Sequence, residues 1–420
     1  MNDTTLIGLV PSDSRPKPLG PAVRRLVVGR LGALERGTLR LHEGDAVHEF
    51  SGAAEGPTAS LEVRDPAFYA ELAFGGSVGA AESYMLGHWS SPDLTGLLRL
   101  LLVNRTALDS LEGGLARLTA PLRLAAHWLH RNTRAGSRRN IAAHYDLGND
   151  FFRLMLDETM MYSCALFERD SMTLADASRA KLDLACRKLD LRPDHHVLEI
   201  GTDWGGFAIH AASRHGCRVT TTTISPSQCE LARERVRAAG LEDRVTVLLE
   251  DYRDLRGSYD RLVSIEMIEA IGHQQFETFF RRAGELLARD GRMLLQSITI
   301  ADRHYERARD EVDFIKRYIF PGCCIPSVGA LTAAMVASSD LRVVHLEEIG
   351  PHYARTLAAW RRNFHANLDR VRALGYPATF LRLWEFYLCY CDGGFAERQL
   401  GDVQVLLTKP DCRRPAIAAA

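Results

Sequence analysis

Two stretches of this 420-residue chain gather residue types that can do chemistry. The first, His144 to Phe167, reads HYDLGNDFFRLMLDETMMYSCALF. It sets His, Asp, Asn, Tyr, Ser and Cys among aromatic and Met residues, a mixture that suits an apolar pocket with a few fixed hydrogen-bonding groups. A surface loop would carry fewer large apolar side chains, and a plain core helix fewer polar ones. The second, Glu199-Ile-Gly-Thr-Asp-Trp-Gly-Gly206, follows a short apolar strand and opens a helix. Its glycines let the backbone approach a ligand, and the helix N-terminus favours a negative group such as a carboxylate. A Gly-rich turn alone is a weak signal, because dehydrogenases use one too. Here the spacing is not GxGxxG, and the second strand ends in Thr222-Thr-Ile-Ser225 with no acidic residue for a ribose, which lowers the dehydrogenase reading.

The elements around the turn alternate. Val197 to Ile200 reads as a strand, Phe207 to Arg214 as a helix, Arg218 to Ser225 as a β-branched strand, and Pro226 opens a helix to Ala239 as a first-turn proline does. Strands at Val245 to Leu249, Arg261 to Ile265 and Arg292 to Ile300 flank a helix over Gln274 to Ala288. Further helices over Ala354 to Phe364 and Ala378 to Tyr390 precede a last strand at Val403 to Leu407. The succession predicts an α/β fold with a doubly wound, mostly parallel sheet. A smaller N-terminal α+β module precedes it. In that module Thr38 to His42 and Ala46 to Phe50 flank the hairpin signal Glu43-Gly44-Asp45, Ala59 to Val63 adds a strand, and helical segments begin at Asp65-Pro66 and at Leu94. The predicted division is a flexible tail over 1–22, the module over 23–121, a basic linker over 122–140, the main domain over 141–410 and a tail over 411–420.

A composition that is 46% hydrophobic and 25% charged belongs to a folded protein. A net charge of −1 gives no reason to expect nucleic acid as a partner. Nine scattered cysteines without paired CxxC spacing argue against a disulfide framework or a structural metal, and for a reducing, cytoplasmic setting. No secretory signal and no apolar run of bilayer length are read, so a lipid substrate would be met by transient contact at the inner membrane surface. The segment Leu122 to Asn140, with Arg123, Arg131, Arg134, Arg138 and Arg139 interleaved with Leu124, Trp128 and Leu129, is either a solvated linker or an interfacial segment drawn to anionic headgroups.

The turn looks like the S-adenosylmethionine motif of class I methyltransferases, with Asp203 where the middle glycine is usual. With the blocks at His144–Phe167, Thr223-Ile-Ser-Pro-Ser-Gln228 and Glu250-Asp-Tyr-Arg-Asp254, the chain resembles the cyclopropane-fatty-acid and cyclopropane mycolic acid synthase family over Asn140 to Leu407. That resemblance implies a class I, Rossmann-like fold and methyl transfer to the double bond of unsaturated acyl chains in phospholipid. The product is then a cyclopropane or a methylene- or methyl-branched chain, formed after a carbocation loses a proton. It assigns the cofactor to Tyr162, Ser163, Glu199, Gly201, Asp203, Trp204, Gly205, Gly206, Thr223, Ser225, Gln228, Tyr252, Arg253 and Ile265. It further implies a bicarbonate ion as the base, held at Cys164, Glu269, Gln296, Ile298 and Tyr353. Cys391 matches a cysteine once proposed as catalytic, although free cysteines are more often small buried apolar residues. The resemblance leaves room for a homodimer.

Three departures from the family pattern bear on the chemistry. Asp203 costs on the order of 1–2 kcal/mol if its position needs positive φ, and its carboxylate would repel that of the cofactor. Gln296 stands where members carry His, and can hydrogen-bond an anion without carrying a proton. Ile268-Glu-Ala270 replaces Phe-Glu-His, and Glu266 adds a carboxylate nearby. Two alternatives follow: a methyltransferase for another small hydrophobic substrate, and a lipid-binding homologue whose catalysis Asp203 has impaired.

Overall fold

The computed structural model describes residues 21–106 and 147–413. Residues 1–20 of the expected tail, residues 107–121, the basic linker and His144 to Asp146 of the polar-aromatic stretch lie outside the described residues. Pro21 and Ala22, counted in that tail, instead begin a helix Pro21–Leu31. The chain forms two compact units that are discontinuous in sequence.

In the first unit, strands β1 (Arg36–Glu43) and β2 (Ala46–Ser51) form an antiparallel hairpin, with Glu43 paired to Ala46 across Gly44 and Asp45. Gly44 takes φ 57°, which the tight turn requires. β3 (Ala54–Val63) runs parallel to β1, and the short β4 (Trp89–Ser90) closes the order β2-β1-β3-β4. Alternation along β1 buries Leu39 and Leu41 on one face. Two segments distant in sequence, Glu311–Pro321 and Leu368–Gln399, belong to this unit. The aromatic helix Ala378–Ala396 packs there. Phe386 lies against Tyr84, Trp89 and Phe314, and Arg382 stacks on Tyr84 at 4.0 Å while donating to Trp89 O.

The second unit holds a seven-stranded sheet. Its strands are β5 (His196–Ile200), β6 (Arg218–Thr223), β7 (Val245–Leu249), β8 (Tyr259–Ile265), β9 (Leu287–Ile300), β10 (Arg342–Glu348) and β11 (Leu400–Thr408). Their order is β10-β11-β9-β8-β5-β6-β7. The five strands from β9 to β7 are parallel, and β11 is antiparallel to both its neighbours. The mostly parallel, doubly wound reading holds. From β5 the chain first builds outward through β6 and β7, then returns to add β8 on the other side. Ligands bind at such a switch point, beyond the carboxyl ends of the strands.

Period-2 alternation gives each strand two buried faces. Leu198, Leu262, Met293 and Val405 share one core, and Val197, Val263, Leu294 and Leu406 the other. On the second face Glu199, Gln296, Asp402 and Gln404 continue the pattern as a polar stripe. Helix Leu174–Leu189 covers this face and is started by a capping box between Thr173 and Asp176. It turns Ala177, Leu182, Ala185 and Leu189 inward together with two buried lysines, Lys181 and Lys188.

Candidate active site

The turn after β5 is built as a cradle. Gly201 N and Thr202 N both donate to Thr222 O at 3.1 Å, tying the turn to β6. Gly201 takes φ 103°, and a Cβ there would meet Met267 at 3.1 Å. A Cβ at Gly206 would lie 2.6 Å from Met161 Sδ and Thr159 O, so the helix Gly206–His215 approaches that segment only because the residue is glycine. Asp203 takes φ 46°, a left-handed conformation that Asp tolerates at a cost of about 1 kcal/mol. Gly205 takes φ 82° before the helix. Trp204 is buried, and its Nε1 donates to Asn149 Oδ1 at 2.7 Å.

Around this cradle, buried polar atoms lack partners. Glu199 Oε2, Gln228 Nε2 and the Tyr252 hydroxyl are buried without a hydrogen bond, a condition that ordinarily costs 1–3 kcal/mol per group unless a ligand satisfies it. Gln228 is oriented by Thr223 Oγ1, which donates to its Oε1 at 2.9 Å, and Ser225 Oγ caps the helix Pro226–Ala238. Burial pushes the Glu199 carboxyl up to about 8, a hydrogen bond from Thr221 opposes the shift, and the Asp203 charge adds to it. Arg253 engages Asp251 with two nitrogens, at 2.8 and 2.5 Å, while its guanidinium sits 5.8 Å from the Tyr252 ring centre. Ile265 is buried at the end of β8, beneath the same turn. Tyr162 packs between Phe152 and Trp360, and Ser163 Oγ accepts from the buried Lys181 Nζ at 2.8 Å.

A second cluster gathers Cys164, Glu266, Glu269, Gln296, Ile298, Tyr353 and Asp402. Glu266, half-buried just past β8, takes φ 48°. Its Oε1 accepts from Cys164 N at 2.8 Å and Gln296 Nε2 at 2.7 Å, and its Oε2 accepts from the Tyr353 hydroxyl at 2.6 Å. Glu269 Oε1 accepts from Ile298 N at 2.5 Å and Ser297 Oγ at 2.9 Å, and its Oε2 has no partner. Burial, then the Glu266 charge, pushes Glu269 up to about 8 against those hydrogen bonds. Asp402 is pushed well above the usual carboxylate range by burial and by Glu266 and Glu269, while Gln296 Nε2, at 3.0 Å, pulls it back. Burial, followed by the charges of Asp402 and Glu266, drives the Cys164 thiol upward, so it is no nucleophile.

The donors expected to hold bicarbonate are already engaged here. Cys164 N, Gln296 and Tyr353, three of the groups assigned to that ion, already donate to Glu266. A free anion in the same place would displace Glu266 and add charge beside three carboxyl groups, so the residues present do not fit it. Cys391, half-buried on the helix Ala378–Ala396, is part of the first unit, whereas the cluster belongs to the second. Sequence reasoning passed over Asp402, Gln404, Lys181 and Lys188. Their signal was polar residues at i and i+2 inside the apolar run of β11, and two cations on the inward face of an amphipathic helix.

A doubly wound sheet with this strand order, a Gly-rich turn after its first strand and unsatisfied polar atoms above it define a class I S-adenosylmethionine-dependent methyltransferase. The chain belongs to the mycolic acid cyclopropane synthetase family, whose model matches residues 132–405. It is 38% identical to the tuberculostearic acid methyltransferase UfaA1 of Mycobacterium tuberculosis, over 86% of this chain and 85% of that one. It is 36% identical to the cyclopropane-fatty-acyl-phospholipid synthase of Escherichia coli K12, over 84% and 88%. Among solved structures it resembles mycolic acid cyclopropane synthase CmaA1 complexed with SAH and CTAB, with a TM-score of 0.61 and 34% identity, covering 65% of this chain and 98% of that one. The residues of the cradle fit S-adenosylmethionine: Glu199, Gln228 and Tyr252 offer an acceptor and donors that nothing else in the described structure uses.

Proposed function

We propose that this enzyme transfers the methyl group of S-adenosylmethionine to the double bond of an unsaturated acyl chain carried by a phospholipid. The observation that carries the reading is the placement of a polar, carboxylate-bearing cluster on the same sheet end as the cofactor cradle, among aromatic rings. The relatives named above support the substrate class, one as a cyclopropane-fatty-acyl-phospholipid synthase and one as a tuberculostearic acid methyltransferase.

Bound S-adenosylmethionine supplies an electrophilic methyl group. The chain's own residues do the rest. The Gly201–Gly206 turn, Glu199, Gln228 and Tyr252 would hold the cofactor, with the buried Trp204 and Ile265 as apolar support for the turn. An isolated alkene is a poor nucleophile, so it must be held against the methyl group away from water. Methylation leaves a cation on the acyl chain, which aromatic faces stabilise. Tyr162, Trp360 and Tyr353 form a continuous set of such faces, with ring centres 5.1 and 6.1 Å apart along the series. No helix among the described residues is long and apolar enough to cross a membrane. Because the proposed substrate is a phospholipid, we place its capture at the membrane surface. A homodimer is compatible with this scheme and is not required by it.

The test is a product assay with methyl-labelled S-adenosylmethionine and unsaturated phospholipid vesicles, run on the protein and on Asp203→Gly. NMR of the product separates a ring from a methylene branch, which have equal mass. Label in the acyl chain is the expected result. Label from Asp203→Gly alone would favour the impaired lipid-binding homologue, and no label from either would end the lipid reading.

A further inference from the structure

We propose that Glu266 is a built-in base: its carboxylate fills the anion cradle made by Cys164 N, Gln296 Nε2 and the Tyr353 hydroxyl, and it takes the proton that the methylated acyl cation must lose. The inference rests on the methyl-transfer reading and adds the identity of the proton acceptor.

Three observations converge. The donors reach Glu266 from three separate segments: Cys164 from the loop before helix Leu174–Leu189, Gln296 from β9 and Tyr353 from helix Pro351–Ala366. Such a set is an anion site, and here the chain itself supplies the anion. The position is also strained. Glu266 holds φ 48°, and non-glycine residues kept in that region cluster where function requires them. Finally, the two neighbouring carboxyls, Glu269 and Asp402, are driven toward their neutral forms by burial and by charge. Of the three carboxyl groups, Glu266 is the one on which donors from three segments converge.

The donors locate the reacting atom. Oε1 accepts from two backbone or amide donors, whereas Oε2 accepts from the Tyr353 hydroxyl, and Asp402 also hydrogen-bonds the carboxyl group. Oε2 is assigned to the proton as the oxygen without nitrogen donors. In the reaction the alkene π pair forms the new bond to the methyl carbon as the sulfur–methyl bond breaks, leaving the thioether and a cation on the adjacent carbon. Glu266 Oε2 then removes a proton. Loss from the added methyl, which sits on the carbon adjoining the cation, closes a ring with the freed C–H pair. If a hydride first shifts so that the cation lies on the methyl-bearing carbon, loss from the methyl gives a methylene branch, and loss from a neighbouring chain carbon gives a methyl-branched alkene. The neutral carboxyl gives its proton to water when product leaves.

Two variants and two readouts test this. Glu266→Gln keeps the size and one acceptor oxygen but cannot take the proton. Glu266→Gly empties the cradle and suits φ 48°. The readouts are lipid labelling in carbon-dioxide-free buffer with and without added bicarbonate, and NMR detection of 13C-bicarbonate binding to the protein loaded with S-adenosylhomocysteine. The expected results are wild-type labelling indifferent to bicarbonate, and a loss on the order of 100-fold or more in Glu266→Gln with S-adenosylmethionine affinity retained. Bicarbonate should bind only to Glu266→Gly and restore part of its activity. Bicarbonate binding to the wild type, wild-type labelling that needs bicarbonate, or near-normal activity of Glu266→Gln would each overturn the assignment. If no lipid is labelled by any version, the methyl-transfer reading and the base role fall together, while the binding readout still decides whether Glu266 fills the cradle.

Discussion

Gln296 Nε2 donates to Glu266 Oε1 across 2.7 Å, and the direction of that bond is set from Lys188. Lys188 Nζ donates to Gln404 Oε1 at 2.8 Å, so Gln404 must turn its amide nitrogen to Gln296 Oε1, 3.1 Å away. Gln296 is thereby left with its own nitrogen facing Glu266 and Asp402. Side-chain amides are nearly symmetric in shape, and it is the hydrogen-bond network that fixes which end points where. An ammonium has donors only, so one buried cation orients both amides.

Replacing Lys188 with Met should therefore disorder a group it never touches. The variant keeps the stem that fills the core and removes the charge, leaving Gln404 Oε1 without its donor. The expected stability loss is about 1–3 kcal/mol, the cost of one unsatisfied buried acceptor. Turnover should fall with little change in S-adenosylmethionine affinity, because the cradle at Gly201–Gly206 is separate from the relay. Denaturant unfolding and steady-state kinetics check both, and a weakened cofactor affinity with normal turnover would contradict the relay.

Asp203 gives an expectation of opposite sign. Its φ of 46° suits glycine better, and its charge raises the Glu199 carboxyl beside it. Asp203→Gly should bind S-adenosylmethionine more tightly, while the gain from relieved strain is offset in part by the extra freedom glycine has when unfolded. Asp203→Ala keeps a Cβ at positive φ without a polar side chain, and should be less stable than either by about 1 kcal/mol. Calorimetric titration and thermal unfolding of the three proteins supply the comparison.

The buried carboxyls set a pH dependence. Glu199 and Glu269 are raised from 4.5 to about 8 in the folded protein, with burial the main cause in each. The folded state keeps a proton on each that the unfolded chain gives up above its ordinary value. Their stabilising contribution is thus fully present below about pH 4.5 and is lost as pH rises toward 8. The slope contributed by each group is at most about 1.4 kcal/mol per pH unit. Glu269→Gln should flatten the decline between pH 5 and 8 in urea unfolding, and an unchanged slope would show that the group is ionised when folded. If Glu199 Oε2 meets a cationic group of the cofactor, binding at pH 7 should also release a proton, visible as a calorimetric enthalpy that varies with buffer.

How much of this was open to sequence reading follows from the range of the contacts. Strand β5 and the glycine turn are local: an apolar run, then glycines at positions where a Cβ would collide or φ is positive. β10 is not marked by the sequence because it is mostly exposed, with Val343, Val344 and Leu346 all facing outward rather than alternating into a core. β9 begins at Leu287, although the sequence predicts helix from Gln274 through Ala288, because the sheet pairs Leu287 with Tyr259 and outweighs local propensity. The relay was beyond reach for a different reason. Gln296 and Gln404 meet only because β9 and β11 pair antiparallel in that register, 108 residues apart in the chain. Residues 311–321 and the helix Ala378–Ala396 likewise join the first unit through packing that sequence order does not announce.

Tyr353 offers the sharpest separation of packing from chemistry. Its ring sits edge-on to Trp360, with centres 6.1 Å apart and planes at 86°, and the residue is buried on helix Pro351–Ala366. Phe fills the same space, so Tyr353→Phe should unfold within about 1 kcal/mol of the parent. What it removes is the 2.6 Å bond to Glu266 Oε2, the oxygen assigned to the departing proton. A hydrogen bond to a charged group contributes about 1.5–3 kcal/mol, so the loss should appear in turnover as roughly a 10- to 100-fold drop. The KM for S-adenosylmethionine should hold. With Oε2 no longer held by Tyr353, the carboxylate can reach more than one C–H bond, and the ratio of ring to branched product should broaden. NMR of the labelled lipid measures that ratio directly. A variant with normal turnover and a single unchanged product would mean that Tyr353 only packs, and that the proton leaves by another route.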